Sequence, residues 1–143
     1  MGGPRIVPFV PAHLADLDPP VFEPEQLRRF AAAYRPAGPA FTLIGEGRAL
    51  GCGGLVVEEG EGRAWAFLSE ALRQRPLLLH RTVKRALPAL AAHYALKRIT
   101  AEAHADFAGA RRWLERLGFH QLETIPRFAG TTENYVRYVH VRS

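Results

Sequence analysis

The stretch that decides the fold is AWAFLSEALRQRPLLLHRTVKRALPALAAHYALKRITAEA (64–103), which leads into FAGARRWLERLGF (107–119). It predicts a strand at 64–69, a basic turn at 73–76, a long amphipathic helix and a second strand at 98–103. A further helix ends at Leu117-Gly118-Phe119, and two closing strands follow at 121–128 and 135–141. Strands that alternate with helices in this way predict a mixed α/β domain.

The first third of the chain predicts a short strand at 6–10, a brief helix at 11–17 and a better helix at 24–34. Pro8 favours an edge position for the first strand, since proline cannot donate to a ladder. A three-strand meander follows at 41–44, 50–58 and 63–69, joined by short glycine-rich loops. Glycines 51, 53 and 54 in its middle strand are explained either by a bulge or close backbone packing, the favoured interpretation, or by the approach of a ligand.

Composition limits the class of protein. A chain of 143 residues with 48% hydrophobic and 23% charged residues predicts a single globular domain over 1–143. There is no run of roughly 18 apolar residues and no signal-peptide pattern, so we expect neither a membrane span nor secretion. Cys52 is the one cysteine and the six histidines lack zinc-ligand spacing, so we expect no disulfide, no metal site and a cytoplasmic location.

Positive charge is concentrated in one segment. The net charge is +5, and no acidic residue occurs between Glu70 and Glu102. The cations of the segment 73–98 are Arg73, Arg75, Arg81, Lys84, Arg85, Lys97 and Arg98. Such a segment is either a solvated helix face or a surface for an acidic partner or nucleic acid.

The order of elements resembles that of the GNAT superfamily of acetyl-coenzyme-A-dependent N-acetyltransferases over essentially the whole chain. Ala110, Leu117, Gly118 and Phe119 resemble the family's helix-end pattern, with Arg116 in its basic position. The resemblance implies an α/β (α+β) domain with a twisted, mostly antiparallel sheet of about six or seven strands and about four helices. It also implies acyl transfer from acetyl-CoA to an amine.

The resemblance assigns a cofactor site as well. The backbone of Phe67, Leu68 and Ser69 is expected to bind the pantetheine arm of acetyl-CoA. The next turn is expected to hold the pyrophosphate; its candidate residues are Arg73, Gln74, Arg75, Leu77 and Leu78. Where the family has glycines in this turn, the chain has Gln74, Pro76 and Leu78. Because proline has no N–H, we expect the arginines to compensate through charge-assisted bonds to phosphate.

Catalytic groups are harder to assign. The family's mechanism needs a general base and an acid, commonly a tyrosine. Leu114 stands where that tyrosine would be, and Phe107 where the family has asparagine. Glu70 is the candidate base, against the alternative of a solvated loop carboxylate. Tyr135 and Tyr138 are candidate hydroxyl donors, although aromatic residues in strands usually serve packing. Cys52 is interpreted as a small core residue.

The helix and turn at 110–119, the strand–turn–strand that follows, and the truncated cofactor turn also resemble GNAT-type proteins of tailed phages and prophages. That group includes internal virion or assembly proteins of podoviruses. That resemblance implies an alternative, a non-catalytic protein that keeps the fold and is virion-associated. Aromatic residues on the terminal strands are compatible with pairing between two copies, so a homodimer is an open alternative.

Overall fold

The computed structural model describes residues 3–18, 20, 22–105, 108–125 and 134–141. Its strands are β1 (Arg5–Pro8), β2 (Ala40–Gly45), β3 (Arg48–Glu58), β4 (Glu61–Leu68), β5 (Arg98–His104), β6 (His120–Ile125) and β7 (Tyr135–Val141). A 3-10 helix spans Pro11–Asp16, and the α-helices are α1 (Pro24–Ala33), α2 (Glu70–Arg73), α3 (Pro76–His93) and α4 (Ala108–Arg116). None of the described helices combines the length and the apolar character that a membrane span requires.

The strands hydrogen bond in the order β1-β2-β3-β4-β5-β7-β6. The sheet is mostly antiparallel, and β4 and β5 pair in parallel over Glu61–Arg63 and Arg98–Thr100. The predicted fold class, a mostly antiparallel sheet of about six or seven strands with helices, is therefore confirmed, and the sheet has seven strands. By backbone contacts the chain forms two compact units: 1–56 with 65–79, and 57–64 with 80–143.

Two tight hairpins build the meander that the sequence predicted. Glu46-Gly47 joins β2 to β3 and Glu59-Gly60 joins β3 to β4, and all four residues have φ between 50° and 80°. Positive φ at both central positions is the mark of type I′ turns, whose twist matches that of the flanking strands. Glycine at the second position of each turn carries this conformation without steric cost.

In the first unit, alternate residues of β2 and β3 feed two apolar clusters. One cluster contains Leu43, Leu50 and Leu72, with Leu68, Leu78 and Leu79 packed against it. The other lies beneath the 3-10 helix and α1 and is built from Phe9, Leu14, Leu17, Ala49 and Cys52, with aromatic neighbours. Six aromatic rings form a closed circuit in which the centroids of successive rings lie 5.4–5.8 Å apart: Phe9, Trp65, Phe67, Phe22, Phe30 and Tyr34.

The second unit has a core of its own. Ile99, Ala101 and Ala103 of β5, Val136 and Tyr138 of β7, and Leu114, Leu117 and Phe119 are buried there. Gly118 follows α4 with φ +99°, which is the predicted left-handed cap. Arg137 on β7 bonds to Glu102 on β5 and to Glu123 on β6, so one guanidinium ties three adjacent strands together.

Several sequence predictions need correction in detail. The brief helix predicted at 11–17 is confirmed as a 3-10 helix at Pro11–Asp16, whereas the strand predicted at 63–69 ends at Leu68 because Ser69 caps a new helix. That helix, α2, was not predicted. The described part of β6 reaches Ile125; the rest of the predicted strand, the hairpin around Gly130 and the Asp106 cap lie outside the described residues.

The glycines of β3 are confirmed as packing positions. Residue pairing jumps from Leu43–Gly51 to Ile44–Ala49, which leaves Leu50 as the extra residue of a bulge. A Cβ on Gly54 would lie 2.3 Å from the carbonyl oxygen of Pro39 and 2.9 Å from Cα of Ala40. The neighbouring chain therefore approaches so closely that a side chain has no room.

We predict that Gly54→Ala lowers the free energy of unfolding by about 1–3 kcal/mol, because the clash is with backbone that cannot rotate away. Gly109→Ala is the matched control, since a Cβ there meets nothing within 4 Å in helix α4. Alanine at that site is expected to stabilise the protein by up to about 1 kcal/mol. Urea unfolding of the two variants measures the difference; equal stability would contradict the packing argument.

Candidate functional site

The candidate site is built on the junction at Ser69, where β4 ends and α2 begins. Ser69 is 2% exposed, and its Oγ accepts a hydrogen bond from the N–H of Leu72 at 3.1 Å, as the N-cap residue of a helix does. Its own N–H donates to the carbonyl of Leu50 at 2.9 Å. The next N–H, that of Glu70, donates to the carbonyl of Asp18 at 2.7 Å. These bonds fix the direction in which the chain leaves the sheet.

The turn that follows uses its amides internally. The N–H groups of residues 73–75 donate to the carbonyls of Ser69, Glu70 and Leu72 at 2.9–3.1 Å. Pro76 begins α3 and has no N–H, and Leu79 makes the first bond of that helix by donating to the carbonyl of Arg75. Four successive positions thus offer no amide to an anion.

The side chains of the turn, in contrast, reach solvent. Arg73, Gln74, Arg75 and Leu77 are all exposed, and Leu77 is exposed to 69%. Arg73 lies 4.0 Å from the Glu70 carboxylate, but both side chains are more than half exposed, so the attraction is weak. Two guanidinium groups, one at each end of the turn, therefore stand just before the N-terminus of an 18-residue helix, whose dipole also favours an anion.

Other predicted site residues have side chains committed to packing. Phe67 belongs to the aromatic circuit, and Leu68 and Leu78 pack against the leucine cluster. Ser69 is a buried helix cap. The structure therefore brings all eight predicted cofactor residues into one segment of the first unit, but only four of them present exposed side chains there: Arg73, Gln74, Arg75 and Leu77.

Glu70, the candidate base, is the first residue of α2 and is exposed. Its position is fixed by its N–H bond to the Asp18 carbonyl, a contact between distant parts of the chain. Sequence reasoning missed Asp18, which precedes two prolines and gave no signal beyond that of a loop.

Of the two candidate tyrosines, Tyr135 is half-buried at the start of β7, whereas Tyr138 lies in the core. Leu114 is buried, as a packing residue of α4 would be. Tyr138 is fully buried, and its hydroxyl oxygen accepts from Nε of Arg111 at 3.0 Å, which raises the pKa of that guanidinium. Burial also keeps Tyr138 out of any contact with a second copy. Phe107 lies outside the described residues.

Cys52 lies at the end of a buried polar chain. Thr42 is fully buried, with its Oγ1 2.7 Å from Nδ1 of His13 and its hydroxyl donating to Sγ of Cys52 at 3.6 Å. The backbone nitrogen of Val10 lies 3.2 Å from the same Nδ1. Burial, opposed by the Thr42 hydrogen bond and assisted by the nearby Asp16 carboxylate, raises the pKa of the Cys52 thiol. A buried, protonated thiol is a packing group, as the sequence predicted.

No cluster of three metal-binding side chains occurs within the described ranges. For a diphosphate such as that of coenzyme A, the backbone and the side chains of the turn differ as hydrogen-bond donors. The amides of residues 73–75 do not fit, since they already bond to carbonyls, whereas the exposed Arg73 and Arg75 side chains supply the charged donors that phosphate oxygens accept. The residues present therefore suit an anion held by side chains.

Solved structures with the same fold are N-acetyltransferases. The ribosomal-protein-S18-alanine N-acetyltransferase from Escherichia coli matches with a TM-score of 0.79 at 16% identity, over 98% of this chain and 94% of that one. Ard1 from Thermoplasma volcanium matches with a TM-score of 0.78 at 12% identity, over 99% of both chains. The ribosomal-protein-S5-alanine acetyltransferase from Vibrio fischeri matches with a TM-score of 0.74 at 12% identity, over 99% and 94%.

No protein-family model and no curated protein sequence matches the chain. At these identities the likeness establishes the fold alone.

The raised pKa of Cys52 predicts how stability depends on pH. Because the folded state holds the thiol proton more tightly than the unfolded state, this group stabilises the fold below the ordinary thiol pKa and loses that effect as the pH rises above it. Between pH 8 and pH 10, the free energy of unfolding of the wild type should fall more steeply than that of Cys52→Ala, by at most about 1.4 kcal/mol per pH unit. Urea unfolding across this range measures both slopes, and parallel slopes would contradict the prediction.

Proposed function

We propose that the protein is a coenzyme-A-dependent N-acyltransferase that transfers an acetyl group to an amine. The observation that carries the proposal is the Arg73–Arg75 turn, which stands between a strand end and a long helix in a chain with the fold of N-acetyltransferases. Two exposed cations at a helix N-terminus are suited to the diphosphate of acetyl-CoA.

Each part of the segment has its own role in this proposal. Arg73 and Arg75 hold the diphosphate by charge-assisted hydrogen bonds. Ser69 sets the direction of the turn through its cap, and Phe67 and Leu68 offer backbone groups to the pantetheine arm. Leu77, which is exposed beside the turn, provides apolar contact to the bound cofactor.

The bound cofactor would supply the acetyl group as a reactive thioester. Glu70 is the residue that takes the proton from the attacking amine, directly or through one water, because its carboxylate is exposed and its ion pair within the described residues is the 4.0 Å contact to Arg73. Leu114 provides no acid where the family's tyrosine would stand, so the departing thiolate is protonated from solvent. Positioning of the amine against the thioester then supplies most of the rate enhancement.

The acceptor is proposed only as a class, an amine. Three structural neighbours are named for their substrates: alanines of two ribosomal proteins and spermidine. These substrates share an amino group and little else. Calorimetric titration with acetyl-CoA tests the proposal first. Absence of binding at millimolar cofactor would overturn it and would favour a protein that keeps the fold without the chemistry.

We predict that Arg73→Ala combined with Arg75→Ala abolishes detectable binding of coenzyme A. Each charge-assisted bond contributes about 1.5–3 kcal/mol, so losing one weakens binding roughly tenfold to a hundredfold. The control is Arg28→Ala with Arg29→Ala, which removes the same charge from exposed positions on α1. Circular dichroism checks that both variants fold, and calorimetry measures the affinity. Wild-type affinity in the folded Arg73/Arg75 variant would show that the diphosphate is held elsewhere.

A second prediction concerns Glu70. Glu70→Gln should lower kcat by about a hundredfold or more while the Kd for coenzyme A changes little, because the amide cannot accept the proton. Release of coenzyme A, followed with a thiol reagent across a panel of primary amines, measures the rate. Glu25→Gln is the control, since Glu25 is also an exposed carboxylate in the first turn of a helix and lies 3.5 Å from an arginine. Equal rates in the two variants would remove Glu70 from the mechanism.

A further inference from the structure

Helix α3 carries three cations on one side. Arg81, Lys84 and Arg85 stand at positions i, i+3 and i+4, which brings their side chains together on the helix surface. All three are exposed and belong to the second unit. At 1.5 Å per residue they span about 6 Å of the helix axis. We call these three residues the basic face of α3.

Among the described residues, no ion pair neutralises the basic face. Within the described ranges, the ion pairs of Arg28, Arg73, Arg98 and Arg137 join them to glutamates, whereas none of the three cations of the basic face has a carboxylate within 4.0 Å. Helix α3 contains neither Asp nor Glu. Like charges at these spacings destabilise a helix. The isolated protein therefore carries an electrostatic cost that a bound anion would remove.

The surroundings of the basic face favour one kind of anion. A protein partner needs an apolar patch with buried anchor residues at the centre of its interface. The one large apolar side chain of α3 that is strongly exposed is Leu77, in the first turn, and none lies between Arg81 and Arg85. A surface that offers charge without an apolar anchor is suited to a polymer of phosphates, whose binding comes from charge neutralisation.

We propose that the basic face of α3 binds the phosphate backbone of nucleic acid, independently of base sequence. The three side chains contact phosphate oxygens, and two of them are arginines, whose guanidinium groups can bond two oxygens at once. This surface lies outside the Arg73–Arg75 turn, so the proposal does not depend on coenzyme A binding.

Fluorescence anisotropy with a labelled 20-base-pair duplex of mixed sequence, measured from 25 to 200 mM KCl, tests the proposal. The full-length wild type should show log K falling linearly with log salt. The triple variant Arg81→Gln, Lys84→Gln, Arg85→Gln keeps helix propensity, since glutamine is about as good a helix former as lysine and arginine. Its salt slope should be smaller in magnitude by about 2 to 3, since each lost phosphate contact contributes roughly 0.9.

A charge-matched control distinguishes binding at the basic face of α3 from the effect of the protein's net charge. Arg28→Gln, Arg29→Gln, Arg112→Gln removes three exposed cations from α1 and α4 and should leave the slope unchanged. An equal reduction in both variants would overturn the proposal, because net charge alone would then explain binding. A wild type that binds no duplex at 25 mM KCl would also overturn it. So would poly-glutamate that competes as well as unlabelled duplex at equal charge, since it would identify an acidic protein as the fitting partner.

Discussion

The hydrogen bonds of Ser69 are the constraint on which the candidate site depends. The hydroxyl caps α2, and the N–H of Ser69 donates to the carbonyl of Leu50 in β3. The adjacent N–H of Glu70 donates to the carbonyl of Asp18. A serine that is almost fully buried cannot leave these bonds unmade without a cost of about 1–3 kcal/mol. The cap therefore forces the chain into a short helix directly after the strand, and it sets which backbone groups of the following turn point inward.

This local choice determines how an anion can be held. In a helix the N–H groups bond backwards, so extending the helical turn through residues 73–75 consumes the amides that a looser loop would have offered. Within residues 73–76, side-chain charge at Arg73 and Arg75 is what remains for an anion. Side chains on an exposed turn lose more conformational entropy on binding than a preformed row of amides. Affinity in such a site therefore depends strongly on charge and on ionic strength.

Positive charge has two separate settings in this chain. At the α2–α3 turn, Arg73 and Arg75 adjoin a helix N-terminus, and Arg73 is loosely paired with Glu70. On α3, Arg81, Lys84 and Arg85 lie within the helix and have no carboxylate partner in the described structure. The first setting suits a compact anion such as a diphosphate, and the second suits an extended one. In the sequence the two groups of cations form a single basic segment, 73–98, because charge composition does not show where each side chain lies in the fold.

Most of the architecture was predictable from local patterns in the sequence. The meander follows from alternating strands and from glycines whose positive φ forms the hairpins, and the end of α4 follows from Gly118. The glycines of β3 predicted close packing because only a missing side chain lets one backbone approach another, as Gly54 and Pro39 do. Helix α2 (Glu70–Arg73) was not predicted, because a single turn is too short for a periodic pattern.

By itself, the sequence determined the order of elements apart from α2, a mostly antiparallel sheet of about six or seven strands, and the segment that holds the candidate cofactor residues. Only the tertiary structure decided which groups of that segment remain available. Leu77 is exposed while Leu78, its neighbour, packs against Leu43, Leu50 and Leu72. Tyr138, a candidate acid by residue type, is buried against Arg111. Local propensity sets the path of the backbone, whereas the partners of a side chain or an amide come from residues far away in the chain.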